Sequence, residues 1–434
     1  MSSGLQEITI PSSVKTIYDS IFSVCTGLTS VTIPDSVTSL NLRFMFSGCT
    51  NLVEVTLPLN AKGTSNYEHI ETSYAFALCD KLTGVTLPYA VSAIGEYCFV
   101  RCTSLPASIT IADHVKCFRQ CAFSGCSQIT AVTIETDELI STYGHLNITS
   151  FAYCSSLSEF YGPCASQDHK LLLSGSTVWL AAPANFPATY TIPSNVQALG
   201  DSSLRYANGL SNLTIPGNVT GIGQYCFSQK TSLTSVTLSE GLKDIGIAAF
   251  NNTRISTLTI PNSVTTLGNS AFTNSYNLNL VNIGTGLTSL PNHCFSNSFN
   301  LVYSTVNIPG NIKSIGTLCF GYTTTSNAQL RTVNIENGLE TVGASAFCRC
   351  RSIEQLTLPA SLKSISNGCF SGCSSLATIR CEATTAPTVY ANTFRYIKTG
   401  GTLYYPAGSD YSSWMSNSNY YLGSRSWTSQ TFTP

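Results

Sequence analysis

Charge is what this sequence has least of. Asp, Glu, Lys and Arg make up only 10% of its 434 residues, against roughly 25% in an ordinary soluble domain. The 22 acidic and 21 basic residues nearly cancel. With no basic field to draw in a phosphate backbone, nucleic acid is not an expected partner. Unbroken apolar runs of about 20 residues are missing as well, so no membrane-spanning helix is expected. The five histidines, His69, His114, His145, His169 and His293, are scattered. Nucleophile-elbow, zincin and P-loop patterns do not occur, and paired carboxylates are scarce. The sequence therefore predicts neither an enzyme nor a bound cofactor or metal.

What the chain does have is a repeat. Residues 353–375, I-E-Q-L-T-L-P-A-S-L-K-S-I-S-N-G-C-F-S-G-C-S-S, are one instance of a unit L-x-x-V-x-I-P-x-x-V-x-x-I-G-x-x-C/A-F-x-x-C-x-x. Units open at Leu5, Leu28, Leu52, Leu82, Leu105, Ile129 and Leu157, then again from Tyr190 through Leu376, mostly 22–24 residues apart. A fixed period of this length is the mark of a solenoid, and it overrides the two or three domains that length alone suggests. Within each unit the β-branched V-x-I segment reads as a short strand. Proline usually ends it, lacking the amide that a ladder needs. A second extended piece ends in I-G, where the glycine is expected to supply a positive-φ corner. Phe then plugs the core.

Stacking of these units is obligatory. About six core side chains per unit, at ~1.5–3 kcal/mol each, cannot offset ~1–2 kcal/mol of backbone entropy for each ordered residue. Burial against both neighbours and bonds between coils must supply the difference. The expected fold is a mainly β repeat solenoid of about 15 coils with short parallel strands, on the order of 70 Å long, spanning residues 1–383. Residues 384–434 break the period and hold eleven aromatics, so they are expected to form a cap over the last coil. Leu5 opens a repeat almost at once, and no signal segment precedes it. The chain therefore reads as a fragment cut downstream of a signal or cap.

Eighteen cysteines invite a disulfide or metal reading, but their positions favour packing. Cys25, Cys49, Cys79, Cys102, Cys126, Cys154, Cys350 and Cys373 fall in F-x-x-C, and Cys98, Cys226, Cys294, Cys319 and Cys369 directly precede Phe. A slot repeated coil after coil is a core position, which a reduced thiol fills as a small hydrophobe. Cys164 and Cys381 lie off these ladders and are expected to be the reactive thiols.

The unit resembles the Treponema-type leucine-rich repeat of BspA-like bacterial surface proteins. The likeness is carried by Leu233-Thr-Ser-Val236-Thr-Leu238, Ile245-Gly246, Ala249-Phe250 and Phe370-Ser-Gly-Cys373, and it recurs over roughly residues 5–381. Leu403-Tyr-Tyr-Pro406-Ala-Gly-Ser409 resembles a segment that closes many such proteins from gut Bacteroidetes. The resemblance implies a right-handed leucine-rich-repeat superhelix, export to the cell surface or beyond, and adhesion or protein–protein recognition. The expected partner is a host or matrix protein, and the chain is expected to be a monomer. The alternative is a cell-envelope spacer without a specific ligand.

Two features are candidates for a binding site. The middle residue of V-x-I points away from the core, which lays Thr9, Thr32, Thr56, Thr86, Thr110, Thr133, Thr214, Thr237 and Thr259 in a stripe that continues as Asn282, Asn307, Asn334 and then Thr357. Two long loops, at 59–74 and 135–150, leave their coils at the same slot and hold a cluster of ionisable groups. Glu68, His69 and Glu71 stand in the first loop, and Glu135, Asp137, Glu138 and His145 in the second. A third departure, His169-Lys-Leu-Leu-Leu173 and Thr177-Val-Trp-Leu180 around Ser174-Gly175-Ser176, predicts an inserted β-hairpin within about 160–190, with a three-residue loop.

Overall fold

The computed structural model describes residues 4–64, 69–140, 149–299, 304–323, 330–417 and 420–433. These residues form a mainly β, parallel solenoid of about 17 turns with almost no helix. Two compact units divide it, Met1–Phe186 with Tyr206–Gly209, and Pro187–Arg205 with Leu210–Pro434.

Within each unit, coils meet along up to three lines. The first is the V-x-I strand. In the first unit Ser30–Thr32 pairs with Glu54–Thr56, and Ser108–Ile111, Ala131–Ile134 and Glu159–Tyr161 form a second parallel group. Side chains alternate as the pleat requires, with Val31 and Ile33 buried and Thr32 exposed. After the strand, the proline carbonyl closes a turn by accepting from the Val three residues on, as in Val37 N to Pro34 O, 2.9 Å. The second line is a two-residue strand in each coil, such as Ser39–Leu40 beside Lys62–Gly63.

The third line is the Phe turn. Phe22, Phe46, Phe76, Phe99, Phe123 and Phe151 stack with ring centroids 5.0–5.5 Å apart and nearly parallel planes. In the second unit Phe227, Phe250, Phe272, Phe295, Phe320, Phe347, Phe370 and Phe394 stack likewise, 5.0–6.1 Å apart. Each buried ring adds several kcal/mol by area alone.

All eighteen cysteines are free thiols, and sixteen are buried. The F-x-x-C slot has a polar task besides packing. Cys49, Cys79, Cys102, Cys126 and Cys154 each donate an S–H to the carbonyl of the preceding coil's Phe, at 3.0–3.1 Å. Where the second unit places Ser275 and Ser298 in that slot, their hydroxyls donate to the equivalent carbonyls of Phe250 and Phe272. In these coils the slot holds a small buried donor, and Cys and Ser serve alike.

The corner glycines act differently from expectation. Gly95, Gly223, Gly246 and Gly316 do not have positive φ. A Cβ at Gly246 would stand 2.6 Å from the Gln224 amide nitrogen, and one at Gly95 2.4 Å from that of Ser73. Glycine is needed there because the neighbouring coil's backbone passes too close for a side chain. The left-handed corners fall two residues either side of Phe instead, as at Ser20 and Val24 around Phe22 or Tyr97 and Arg101 around Phe99.

The hairpin is present, with Leu171–Ser174 antiparallel to Thr177–Ala181. Ser174 pairs directly with Thr177, so the turn is the two residues Gly175-Ser176 rather than three; Gly175, at φ 58°, permits it. Its Trp179 stacks on Phe118 at 5.6 Å. The aromatic C-terminal segment does not fold across the end of the ladder but prolongs it. Thr402–Pro406 pairs with Thr378–Cys381, and Thr428–Phe432 with Thr402–Pro406. The Nε1 of Trp414 and of Trp427 donate to Pro387 O and Lys398 O, both at 2.8 Å. The final strand is exposed and polar, which suits the end of a sheet.

Candidate binding surfaces

The strand alternation puts the expected threonines on the outside. Thr32, Thr56, Thr86 and Thr110 are exposed and Thr133 is half-buried. Thr32 lies beside Thr56, and Thr110 beside Thr133. Thr86 stands between these pairs, but its segment forms no strand, so the stripe is interrupted rather than continuous. Among the described residues no protein group bonds the five hydroxyls, and all five remain available to a ligand. The asparagines of the second unit are different. Asn334 Nδ2 donates to Asn307 Oδ1 at 2.7 Å, and Asn307 Nδ2 to Asn282 Oδ1 at 2.8 Å. These amides satisfy one another down the ladder and leave less polarity for a partner.

The two long loops flank a cleft of about 760 Å³. His69 and Glu71 line it, with Thr64, Ser92 and Ile140. The loops leave after the second short strand, since Lys62–Gly63 still pairs with Ser39–Leu40 and the Ile140 amide still donates to Lys116 O. His69 Nδ1 lies 3.2 Å from Ser92 Oγ. Burial alone would raise the Glu71 carboxyl, but bonds from the Ser73 hydroxyl and amide, helped by the Arg119 charge, hold it below its ordinary value. Asp137 and Glu138 do not line this cleft. They sit exposed on the turn after Ile134, whose bend Thr136 fixes through its contacts with Glu138. Glu68 and His145 lie outside the described residues.

Sequence reasoning missed the cations of this cleft, Lys116 and Arg119. They flank the short strand Cys117–Phe118. The available signal was position, because their coil lies between the two that carry the loops. Lys116 Nζ donates to Thr136 Oγ1 at 2.6 Å, tying one loop base to the cleft wall. Among the described residues no three His, Cys, Asp or Glu side chains are grouped to hold a metal ion, and no helix is long and apolar enough to cross a membrane. Cys164 and Cys381, expected to be reactive, are both buried, and burial pushes both thiols above their ordinary value. The less buried thiols are Cys121 and Cys348.

Repeated parallel strands, a stacked Phe turn and a polar outer stripe define a leucine-rich-repeat solenoid. The chain belongs to the BspA type leucine-rich repeat region family, matched in six copies over residues 1–73, 68–169, 197–327 and 288–409. Solved structures similar to it include a leucine-rich repeat protein from Bacteroides ovatus. That protein is 19% identical over 97% of this chain and 88% of its own, with a TM-score of 0.44. A leucine rich cell surface protein from Faecalibacterium prausnitzii is 18% identical over 94% and 88%, with a TM-score of 0.32. A leucine-rich repeat protein from Eubacterium ventriosum is 20% identical over 85% and 82%, with a TM-score of 0.42. No curated protein matches the chain.

Proposed function

We propose that this chain is an exported, non-enzymatic recognition protein that binds a host or matrix protein through the strand face of its first unit. The observation that carries the reading is the contrast between the two polar ladders. The asparagines at 282, 307 and 334 bond to each other, whereas among the described residues the hydroxyls of Thr32, Thr56, Thr86, Thr110 and Thr133 bond to nothing. A solenoid recognises partners through such extended faces. Exposed charges of the loops, Asp137 and Glu138 among them, add ~0–1 kcal/mol each, so they orient a partner rather than hold it. Membership of a repeat family whose units stack around a filled core supports binding over catalysis.

The asparagine ladder favours a second reading for its own coils, a spacer without a specific ligand. One experiment separates the two. The chain is screened against purified extracellular-matrix proteins beside a variant carrying Thr86→Lys, Thr110→Lys and Thr133→Lys. The lysines load the face with charge and leave the core intact. The recognition reading expects a matrix ligand whose affinity falls at least ~10-fold in the triple variant, with an unchanged melting curve. Undiminished affinity moves the site to the loops or the C-terminal aromatics, and no matrix ligand at all leaves the spacer.

A further inference from the structure

Residues 84–87 are unpaired with the coils on both sides, and the gap toward the coil that opens at Leu105 has a cause that can be read from the chain. Three residues separate Leu28 from Val31, Leu52 from Val55, Leu82 from Val85 and Ile129 from Val132, but four separate Leu105 from Ile109. The residue after the opening Leu or Ile normally donates its amide back to the preceding coil. Val53 N reaches Thr29 O at 2.8 Å, Thr83 N reaches Val53 O at 3.1 Å, and Thr130 N reaches Ala107 O at 2.7 Å. In the coil that opens at Leu105 this residue is Pro106, which has no amide. One extra residue and one missing donor therefore fall together, and the first ladder line fails at this coil.

The failure is confined to one face. The same two coils stay joined at the second line, Ala93 with Cys117, and at the Phe turn, where Phe99 N donates to Ala122 O at 2.7 Å. Residues 84–87 have no backbone hydrogen bond to any described residue. Across the gap, Ala107 O and Ile111 O accept from the following coil. By the alternation of a parallel ladder, the amides and carbonyls of Ser108 and Thr110 then face the gap. Two strand edges with alternating donors and acceptors thus look at each other unpaired. Between them opens a cavity of about 270 Å³ lined by Val85, Leu87, Phe99, Ile109, Ile111 and Phe123. A dry cavity of ~150 Å³ already accepts benzene, so this one takes a large apolar side chain.

We propose that this slot captures an extended, uncharged segment of the partner polypeptide, which adds a strand against residues 84–87 and Ser108–Ile111 and seats one Leu- or Phe-sized side chain in the cavity. The occupant follows from complementarity. Only another extended backbone presents acceptors and donors at the spacing of a strand edge, and the one ionisable group on the cavity wall is His114. The first ladder line also lapses elsewhere, as between Glu54–Thr56 and residues 84–87 or between Ser235–Leu238 and Thr257–Thr259, but here the gap opens onto a floor of Phe99 and Phe123. This edge is internal, apolar at its floor and left open by sequence. The inference rests on the recognition reading above and names the chemistry of the partner.

The test uses the whole chain and a fluorescein-labelled peptide of its own strand, Leu-Thr-Ser-Val-Thr-Ile-Pro (residues 28–34), which has the alternation that the slot requires. In the free protein the Val85 and Leu87 amides should exchange with deuterium at least ~100-fold faster than those of Val31 and Val132, which lie inside ladders. The peptide should bind saturably and slow exchange at Val85, Leu87, Ser108 and Thr110. A peptide N-methylated at alternate residues should bind at least ~10-fold more weakly, since it cannot complete the ladder. Deleting Pro106 restores both spacing and donor, and should close the slot and abolish binding. Pro106→Ser restores the donor alone at unchanged length, keeps the test valid if the deletion misfolds, and should weaken binding. Slow exchange at Val85 and Leu87 in the free chain overturns the proposal. So does absence of peptide binding, equal binding of the N-methylated peptide, or binding untouched by both Pro106 variants. None of these touches the threonine-face reading, because Pro106 variants keep every threonine and the triple-lysine variant keeps the slot's backbone.

Discussion

Raising the pH from 7 to 10 under reducing conditions should unfold the first unit, and the thiol ladder sets the size of the effect. Cys49, Cys79, Cys98, Cys102, Cys126 and Cys154 are all buried in that unit. Burial, as the largest influence, pushes each of them up, Cys49 to about 11, Cys154 to about 12 and the others further. An unfolded thiol starts near 9.0. The folded chain therefore binds more protons than the unfolded one above pH 9. Stability falls as pH rises through that window, and the contribution is fully present only below it.

At pH 10 an unfolded thiol is ionised roughly ten to one, which stabilises the unfolded chain by ~1.4 kcal/mol per thiol. Six thiols give about 8 kcal/mol, comparable with the whole stability of an ordinary domain. The assay is urea unfolding by circular dichroism at pH 7, 9 and 10 with reductant present, with the midpoints compared. A variant with Cys102→Ser and Cys126→Ser keeps the donor geometry, as Ser275 and Ser298 do, and should recover ~3 kcal/mol at pH 10. Thiol labelling provides the parallel check, with few cysteines reacting in the native chain and most of the eighteen after denaturation without reductant. A midpoint that does not move between pH 7 and pH 10, or a denatured chain without free thiols, would refute the reasoning.

Three further outcomes are expected. Phe250 stacks between Phe227 and Phe272 with no solvent exposure, so Phe250→Ala should cost ~3–5 kcal/mol and make urea unfolding less cooperative. Gly246→Ala should destabilise by ~1–3 kcal/mol, because the atoms its Cβ would meet are backbone on the preceding coil; unchanged melting would show that the coils can separate locally. Lys230 occupies the F-x-x-C slot, and burial, with Arg205 adding to it, lowers its pKa from 10.5 to about 8. The unfolded lysine keeps its proton longer, so Lys230→Met should stabilise by up to ~3 kcal/mol at pH 7, and calorimetry should show the advantage shrinking as pH rises from 8 to 10.5.

The repeat was legible because each of its slots has one physical demand. Leu28, Val31, Ile33 and Phe46 are buried where the alternation of the strand and the period of the coil put them. The donor role of Cys49 was less legible, because a thiol facing a carbonyl 3.0 Å away looks in one dimension like any small apolar residue. Gly246 was misread for a similar reason. Its glycine answers to the Gln224 backbone of the neighbouring coil, a contact between residues far apart in the chain, whereas a turn is a local property. Trp414 and Trp427 were read as a cap because their coils lack the Leu-x-x-Val spacing, yet their indole N–H groups bond to the coil beneath and the strands pair on.

The binding surfaces were legible only as far as the ladder is regular. Placing Thr32, Thr56, Thr86, Thr110 and Thr133 on one face requires no more than a period and an alternation. Whether those hydroxyls are free depends on what stands one coil away. An amide side chain reaches its counterpart across one coil, as Asn307 reaches Asn282, while the hydroxyls of these five threonines bond to no described residue across it. The asparagine ladder closes on itself, whereas this threonine row leaves donors and acceptors for something outside. The same logic applies to the backbone. The amide after the opening Leu or Ile is one tie between coils, as Thr130 N is to Ala107 O, and Pro106 removes that tie beside the free threonines. In the first unit, an open strand edge and a free hydroxyl row thus coincide at Thr86 and Thr110, the positions at which substitution should weigh most on binding and least on folding.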